Sequence, residues 1–271
     1  MKDVGAEAVE TFKVLESELE STAPNSVQDA HELAASVLDP ASADAESAWG
    51  VLWHKPLFAN AHVSSASAWE ERLRPWMKGA WKSWGCDSGP IRIEKVGKRA
   101  RRSSFAVRGD RGKEILDATR IAPHRLYAIQ GAAIALRERA ARSGVPYEDL
   151  GGIPVPDMVR RLDAEMGYGW GPITVMHFLT ELGLACKPDI HLVRAARHLG
   201  LPGSVAAAEG TASLREALAI NEAVGALVTR IYGTCTPRHL RYVDKVLMEI
   251  SKQGLLGGSR IVKNGCRTPR L

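Results

Sequence analysis

Nowhere in the chain do about 18 apolar residues follow one another, the least a bilayer-spanning helix needs, so no membrane partner is expected. The opening stretch MKDVGAEAVETF lacks the apolar core of a secretory signal. A cytoplasmic location is therefore expected, on the nucleoid if the source is bacterial. Cysteine is scarce: Cys86, Cys186, Cys235 and Cys266 lie far apart with no Cys-x-x-Cys pair. That spacing argues against a zinc or iron–sulfur centre and suits a reducing compartment, so neither a metal site nor a cofactor is expected. Internal repeats and long low-complexity tracts are also missing, which excludes solenoids and disordered arrays.

What remains is an ordinary globular balance. The 271 residues are 45% hydrophobic and 25% charged, enough to bury a sizeable core in one large domain or two small ones. The net charge of +5 is unevenly spread. The first 50 residues are acidic (Glu7, Glu10, Glu16, Glu18, Glu20), whereas residues 92–113 carry nine Lys or Arg against two acids. A stretch of that kind suits a phosphate-rich partner, or a solvated loop.

Apolar spacing predicts helices over 4–20 (Val9, Phe12, Leu15, Leu19) and 27–38, with Pro24-Asn25-Ser26 as a break. Residues 49–84 hold six of the seven tryptophans, Trp49, Trp53, Trp69, Trp76, Trp81 and Trp84. Most are expected in the core, where an indole buries a large area, although such a cluster also suits a base-stacking wall. Ile91, Ile93, Val96, Phe105 and Val107 flank a basic turn and predict a small β-hairpin over about 91–108, or an ordered basic loop. Further helices are predicted over 123–143 (Leu126, Ile129, Ala133, Leu136), 157–166, 172–184, 190–199, 211–230 and 237–253, with a single turn in PYEDLGG. Tyr242, Asp244 and Lys245, in the middle of the last helix, are read as a solvated face, or else as residues approaching the cleft between helical layers. Residues 255–271 read as a loose basic extension.

The least ordinary segment is MGYGWGPITVMHFLTELGLACKPDIHLVR, residues 166–194. Gly167 stands where a helix wants a left-handed terminating residue. Gly169 and Gly171 keep the turn free of side chains, and Pro172 suits the first position of the next helix. A glycine-rich turn before a helix N-terminus presents backbone N–H groups to an anion such as a phosphate oxygen. It also suits a plain helix corner that needs glycine for close packing. Asp189 precedes IHLVRAARHLG and reads as a helix cap. The N–H groups of a helix start favour a charged carboxylate there, and such a group can stabilise a developing cation.

Together, Gly167-Tyr168-Gly169-Trp170-Gly171, the apolar helix, the loop ACKP and Asp189-Ile190-His191-Leu192-Val193-Arg194 resemble the signature of the helix-hairpin-helix DNA glycosylases. The resemblance covers about residues 157–200. It implies an all-α fold of two helical lobes, with the hairpin in the first lobe and Asp189 at their junction. It implies double-stranded DNA as partner, held through its phosphates by main-chain N–H groups near Gly167, Gly169 and Gly171. Trp170, His191 and Arg194 are the further DNA-binding positions it suggests. Asp189 would be the catalytic carboxylate, facing a nucleotide flipped from the duplex. Bifunctional members carry a nucleophilic lysine where this chain has Gly171, and the four-cysteine cluster of some members is missing. A monofunctional, metal-free enzyme excising a damaged, mismatched or modified base is therefore expected. A non-catalytic DNA-binding hairpin protein, a base-modifying transferase on the same scaffold and a helical interaction protein are the alternatives. The implied divisions are N-terminal helices over 1–45, packing on the C-terminal lobe; a lobe over 46–186 with the hairpin at 157–184; a lobe over 187–254; and the tail 255–271. Base identity and oligomeric state are not implied.

Overall fold

The computed structural model describes residues 4–59, 61–86, 91–99, 102–187, 189–202 and 212–257. The basic extension predicted at 255–271 lies outside them beyond residue 257, as does Cys266. The elements are α1 (Ala6–Thr22), α2 (Pro24–Ala35), α3 (Ala45–Leu52), α4 (Lys55–Phe58), α5 (Val63–Leu73), β1 (Arg92–Arg99), β2 (Arg102–Arg108), α6 (Asp110–Thr119), α7 (Pro123–Ser143), α8 (Val155–Met166), α9 (Pro172–Glu181), α10 (Ile190–His198), α11 (Leu214–Tyr232) and α12 (Pro237–Lys252). The protein is mostly helical, with one two-stranded antiparallel hairpin. No helix among the described residues is long and apolar enough to cross a membrane.

The chain forms two compact units, Val37–Cys186 and the pair of segments Met1–Ser36 and Lys187–Leu271. In the first, α7 is central. Its predicted stripe Leu126, Ile129, Ala133 and Leu136 is fully buried, and α3, α4, α8 and both strands pack around it. Gln130 on α7 pins β1 by accepting from the Ile93 N–H (2.8 Å) and donating to the Ile93 carbonyl (2.9 Å). The strands pair from Arg92↔Arg108 to Arg99↔Arg102, with a shift between Lys95 and Gly97. Ile93 faces the core while Val96 is exposed. Arg139, whose side chain is 1% exposed, ties α7 to α8 through Glu165 (2.6 Å) and to the following turn through Asp149 (2.7 Å).

In the other unit α12 is the hub. It packs against α1, α2, α10 and α11, and that corrects the predicted solvated face. Tyr242 and Asp244 are 8% and 1% exposed, and Lys245 pairs with Glu249 at 2.7 Å. A helix surrounded on several sides has no wholly wet face, so its polar groups turn to one another.

Three local expectations change. The break between the first two helices falls at Ala23, and Pro24 opens α2 at the first position, where a missing N–H costs nothing, with Asn25 and Ser26 inside the helix. The end of the basic stretch is a helix, α6, started after Gly109 at φ 83°. Helix α9 stops at Glu181 rather than 184, and Gly183 at φ 62° turns the chain. Trp49, Trp53 and Trp84 are core as predicted, whereas Trp69, Trp76 and Trp81 are half-buried.

Candidate nucleic-acid interface

The turn between α8 and α9 is built by its glycines in three different ways. Gly167 follows α8 at φ 70°, ψ −142°, a region essentially reserved for glycine and different from the left-handed conformation predicted. Its N–H closes α8 on the Asp163 carbonyl at 2.9 Å. Gly169 has φ +89°, and a Cβ there would stand 2.5 Å from the Ala128 Cβ, so the turn lies directly on α7. Gly171 caps α9 in extended conformation, its carbonyl accepting from Thr174 (2.8 Å) and Val175 (3.1 Å). A Cβ at Gly171 would meet nothing within 4 Å.

Trp170 clamps this turn from beneath. It is fully buried, and its indole N–H donates to the Ala128 carbonyl at 2.8 Å. The expectation of a DNA-facing Trp170 is thereby corrected: the side chain reaches no solvent, and its backbone N–H already donates to Gly167 (3.1 Å). The amides of Tyr168, Gly169 and Gly171 have no hydrogen-bond acceptor among the described residues, and all three residues are exposed.

The basic hairpin adjoins the turn through a cluster of aromatic rings. Tyr168, 44% exposed, packs on Phe105 of β2 (5.0 Å) and Tyr127 of α7 (6.1 Å), and the Lys95 ammonium sits 5.7 Å over its ring. Part of the basic charge is neutralised locally, since Glu94 pairs with both Arg92 and Arg108 at 3.2 Å. The half-buried tryptophans are engaged too: Arg125 covers Trp69 at 4.9 Å and Arg111 covers Trp76 at 5.8 Å, while the Trp81 N–H donates to Glu46 at 2.8 Å. That weakens the notion of a stacking wall.

Asp189 belongs to the other unit, where it caps α10. Its Oδ1 accepts from the N–H groups of His191 and Leu192, both at 3.0 Å, and its Oδ2 lies 3.6 Å from the Lys187 ammonium. The His191 ring meets the Ser251 hydroxyl at 3.2 Å, and partial burial lowers its pKa against the pull of Asp189. Arg194 is half-buried with no ion pair among the described residues. Behind them sits a carboxylate that the helical pattern read as part of a solvated face. Asp244 accepts from the Lys187 N–H (2.9 Å) and from Arg241 (3.1 Å). Burial, with a smaller contribution from the Asp189 charge, pushes Asp244 up to about 6 although Arg241 opposes it. The only advance signal was a carboxylate inside an otherwise amphipathic helix.

No family model, curated protein or solved structure matches this chain.

Proposed function

We propose that this protein is a monofunctional DNA N-glycosylase of the helix-hairpin-helix type. The observation that carries the reading is the exposed 167–171 turn, with three amide N–H groups lacking acceptors at the start of an apolar helix. Donors of this kind, with the dipole of α9 behind them, are suited to a backbone phosphate. The sequence supplies the second part, Asp189 opening the next helix after a short loop.

In this reading the turn holds the DNA strand and Asp189 acts on a nucleotide turned out of the duplex. The C1′–N bond breaks and the electron pair leaves with the base, which takes up a proton. Positive charge grows on the sugar, and the Asp189 carboxylate stabilises it. Water adds at C1′, and the proton it loses passes to the carboxylate. Arg194 supplies a cation for a neighbouring phosphate, and His191 steadies the start of α10. Gly171 stands where bifunctional members of the resembled family carry their nucleophilic lysine, so no strand cleavage accompanies base release in this reading.

A second reading is favoured by one observation: the Asp189 oxygens already serve a cap and a lysine. A DNA-binding protein without chemistry would need no more of this residue. Duplexes carrying uracil, hypoxanthine, 8-oxoguanine, methylated purines, mismatches or modified pyrimidines separate the two. Alkali-dependent breaks made by the wild type and reduced at least about 100-fold in Asp189→Asn are expected. Asparagine keeps the cap, so equal DNA binding with no base release from any duplex would leave the binding protein as the answer. Breaks without alkali would overturn the monofunctional assignment.

A further inference from the structure

Tyr168 and Gly169 of the turn line one side of a cleft. It measures about 360 Å³ and is lined by Pro56, Ala59, His124, Arg125, Tyr168 and Gly169, all in one unit. Its inner wall is the start of α7, a helix of 21 residues with Pro123 at its first position and no acidic residue in its first turn. Aligned peptide dipoles make such an end positive, and no acidic side chain of its own first turn neutralises it.

Arg125 adds a full charge. Only 9% of the residue is exposed. Its Nη1 donates to the carbonyls of Pro56 (2.7 Å), Leu57 (2.8 Å) and Ala59 (3.0 Å), and the guanidinium lies against Trp69. These contacts fix its position without cancelling its charge. No carboxylate pairs with it, and its Nε and Nη2 have no acceptor, among the described residues. A buried cation without a counter-ion is costly, and here the cost is legible as a pKa lowered by desolvation. The opposite wall carries the acceptor-free amides of Tyr168 and Gly169. The close approach of Gly169 to Ala128, one helical turn beyond Arg125, holds those amides over the same end of α7.

We propose that this cleft is a phosphate-binding site, with His124, Arg125 and the N-terminus of α7 on one wall and the amides of Tyr168 and Gly169 on the other. A phosphate oxygen would meet the free edge of a guanidinium that is already immobilised, so little side-chain freedom is lost on binding. His124 has no hydrogen-bond partner among the described residues, and partial burial and the Arg125 charge both depress its pKa. An anion in the cleft reverses that pressure. The inference rests on the glycosylase reading only for the source of the phosphate, a DNA strand rather than a free ion.

The test uses the full chain, wild type and the variants His124→Ala, Arg125→Gln and Gly171→Ala. Each is titrated with inorganic phosphate, with chloride at matched ionic strength, and then with an undamaged duplex, followed by amide and histidine ring NMR signals. Phosphate is expected to move the Tyr168 and Gly169 amides and to raise the His124 pKa. His124→Ala and Arg125→Gln are expected to weaken phosphate and duplex binding about tenfold or more. If Arg125→Gln does not fold, His124→Ala carries the test, because that side chain is exposed. Duplex binding lowered in both variants without measurable affinity for the free ion assigns the site to a strand phosphate and supports the inference. Phosphate bound in the cleft with no duplex binding keeps the site and overturns the DNA reading. Duplex binding that Gly171→Ala weakens while the other two variants match the wild type overturns the cleft and leaves the DNA reading standing. No response to phosphate and wild-type duplex affinity in both variants likewise overturns it.

Discussion

The three glycines within residues 167–171 differ in how strictly each position requires glycine. Gly169 combines a left-handed φ with contact on α7, so Gly169→Ala adds backbone strain to overpacking and should cost about 2–3 kcal/mol, read as a lowered urea midpoint. Gly171 has neither constraint. Gly171→Ala should change stability by less than about 0.5 kcal/mol, yet weaken duplex binding if a phosphate approaches that face. Loss of stability in this variant would mean that the turn is tighter than its geometry indicates. Asp189 can be treated in the same way: its replacement by alanine removes two cap hydrogen bonds and should cost about 1 kcal/mol, whereas asparagine should be nearly neutral. Comparing the two by thermal unfolding separates the cap from any chemistry.

At the level of elements, α7 and α8 are joined through charge as well as packing. Arg139 meets Glu165 with two nitrogens and Asp149 with one, beneath an otherwise apolar crossing. Burial pushes the Asp149 carboxyl up, but the Arg139 hydrogen bond and charge outweigh it, and the net pKa is lowered. Arg139→Ala would leave Asp149 and Glu165 to Arg161 alone and should lower stability by roughly 2 kcal/mol, measured by chemical denaturation. Lysine should not rescue it, because one ammonium cannot reproduce the fork that serves two acceptors. Since α8 ends in the glycine turn, a loosened crossing should also weaken duplex binding. An Arg139→Ala protein as stable as the wild type would show that packing alone sets the crossing.

For the whole molecule, half-buried His54 and buried Asp244 oppose each other in acid. Burial, then the nearby Lys55 charge, lowers His54 from 6.5 to about 3. The unfolded chain therefore takes up a proton that the folded one refuses, and the stability held above pH 6.5 is lost as pH falls toward 3. The slope from one such group is at most about 1.4 kcal/mol per pH unit. Asp244 acts with the opposite sign. Its folded value of about 6 against 3.8 means that the folded state binds the proton more tightly, so its contribution grows as pH falls through 6 and is lost above it. His54→Gln should flatten the decline in unfolding free energy between pH 6.5 and 4, and Asp244→Asn should steepen it. Urea titrations at pH 8, 6 and 4 read both, and parallel curves for wild type and variants would contradict these assignments.

The amino-acid sequence determined the helices with strong ends and one-sided apolar spacing. Leu126 to Leu136, the Asp189 cap, the Pro172 start and the Thr236 cap of α12 are all local signals, satisfied within a turn or two of chain. It determined the small hairpin as well, through alternation around a basic turn. It also placed the glycines and the carboxylate in the order that suggests a function. Tertiary structure alone decided which polar residues are interior. Asp244 reads as surface by periodicity, because period says which residues share a face but not how many neighbours cover that face. It also decided that Trp170 is a clamp rather than a contact, since an indole in a glycine turn packs or protrudes according to where α7 lies. The most informative residue of the cleft, Arg125, carries no motif at all. Its meaning comes from three carbonyls nearly seventy positions earlier and a turn more than forty later, and only the folded chain brings those together.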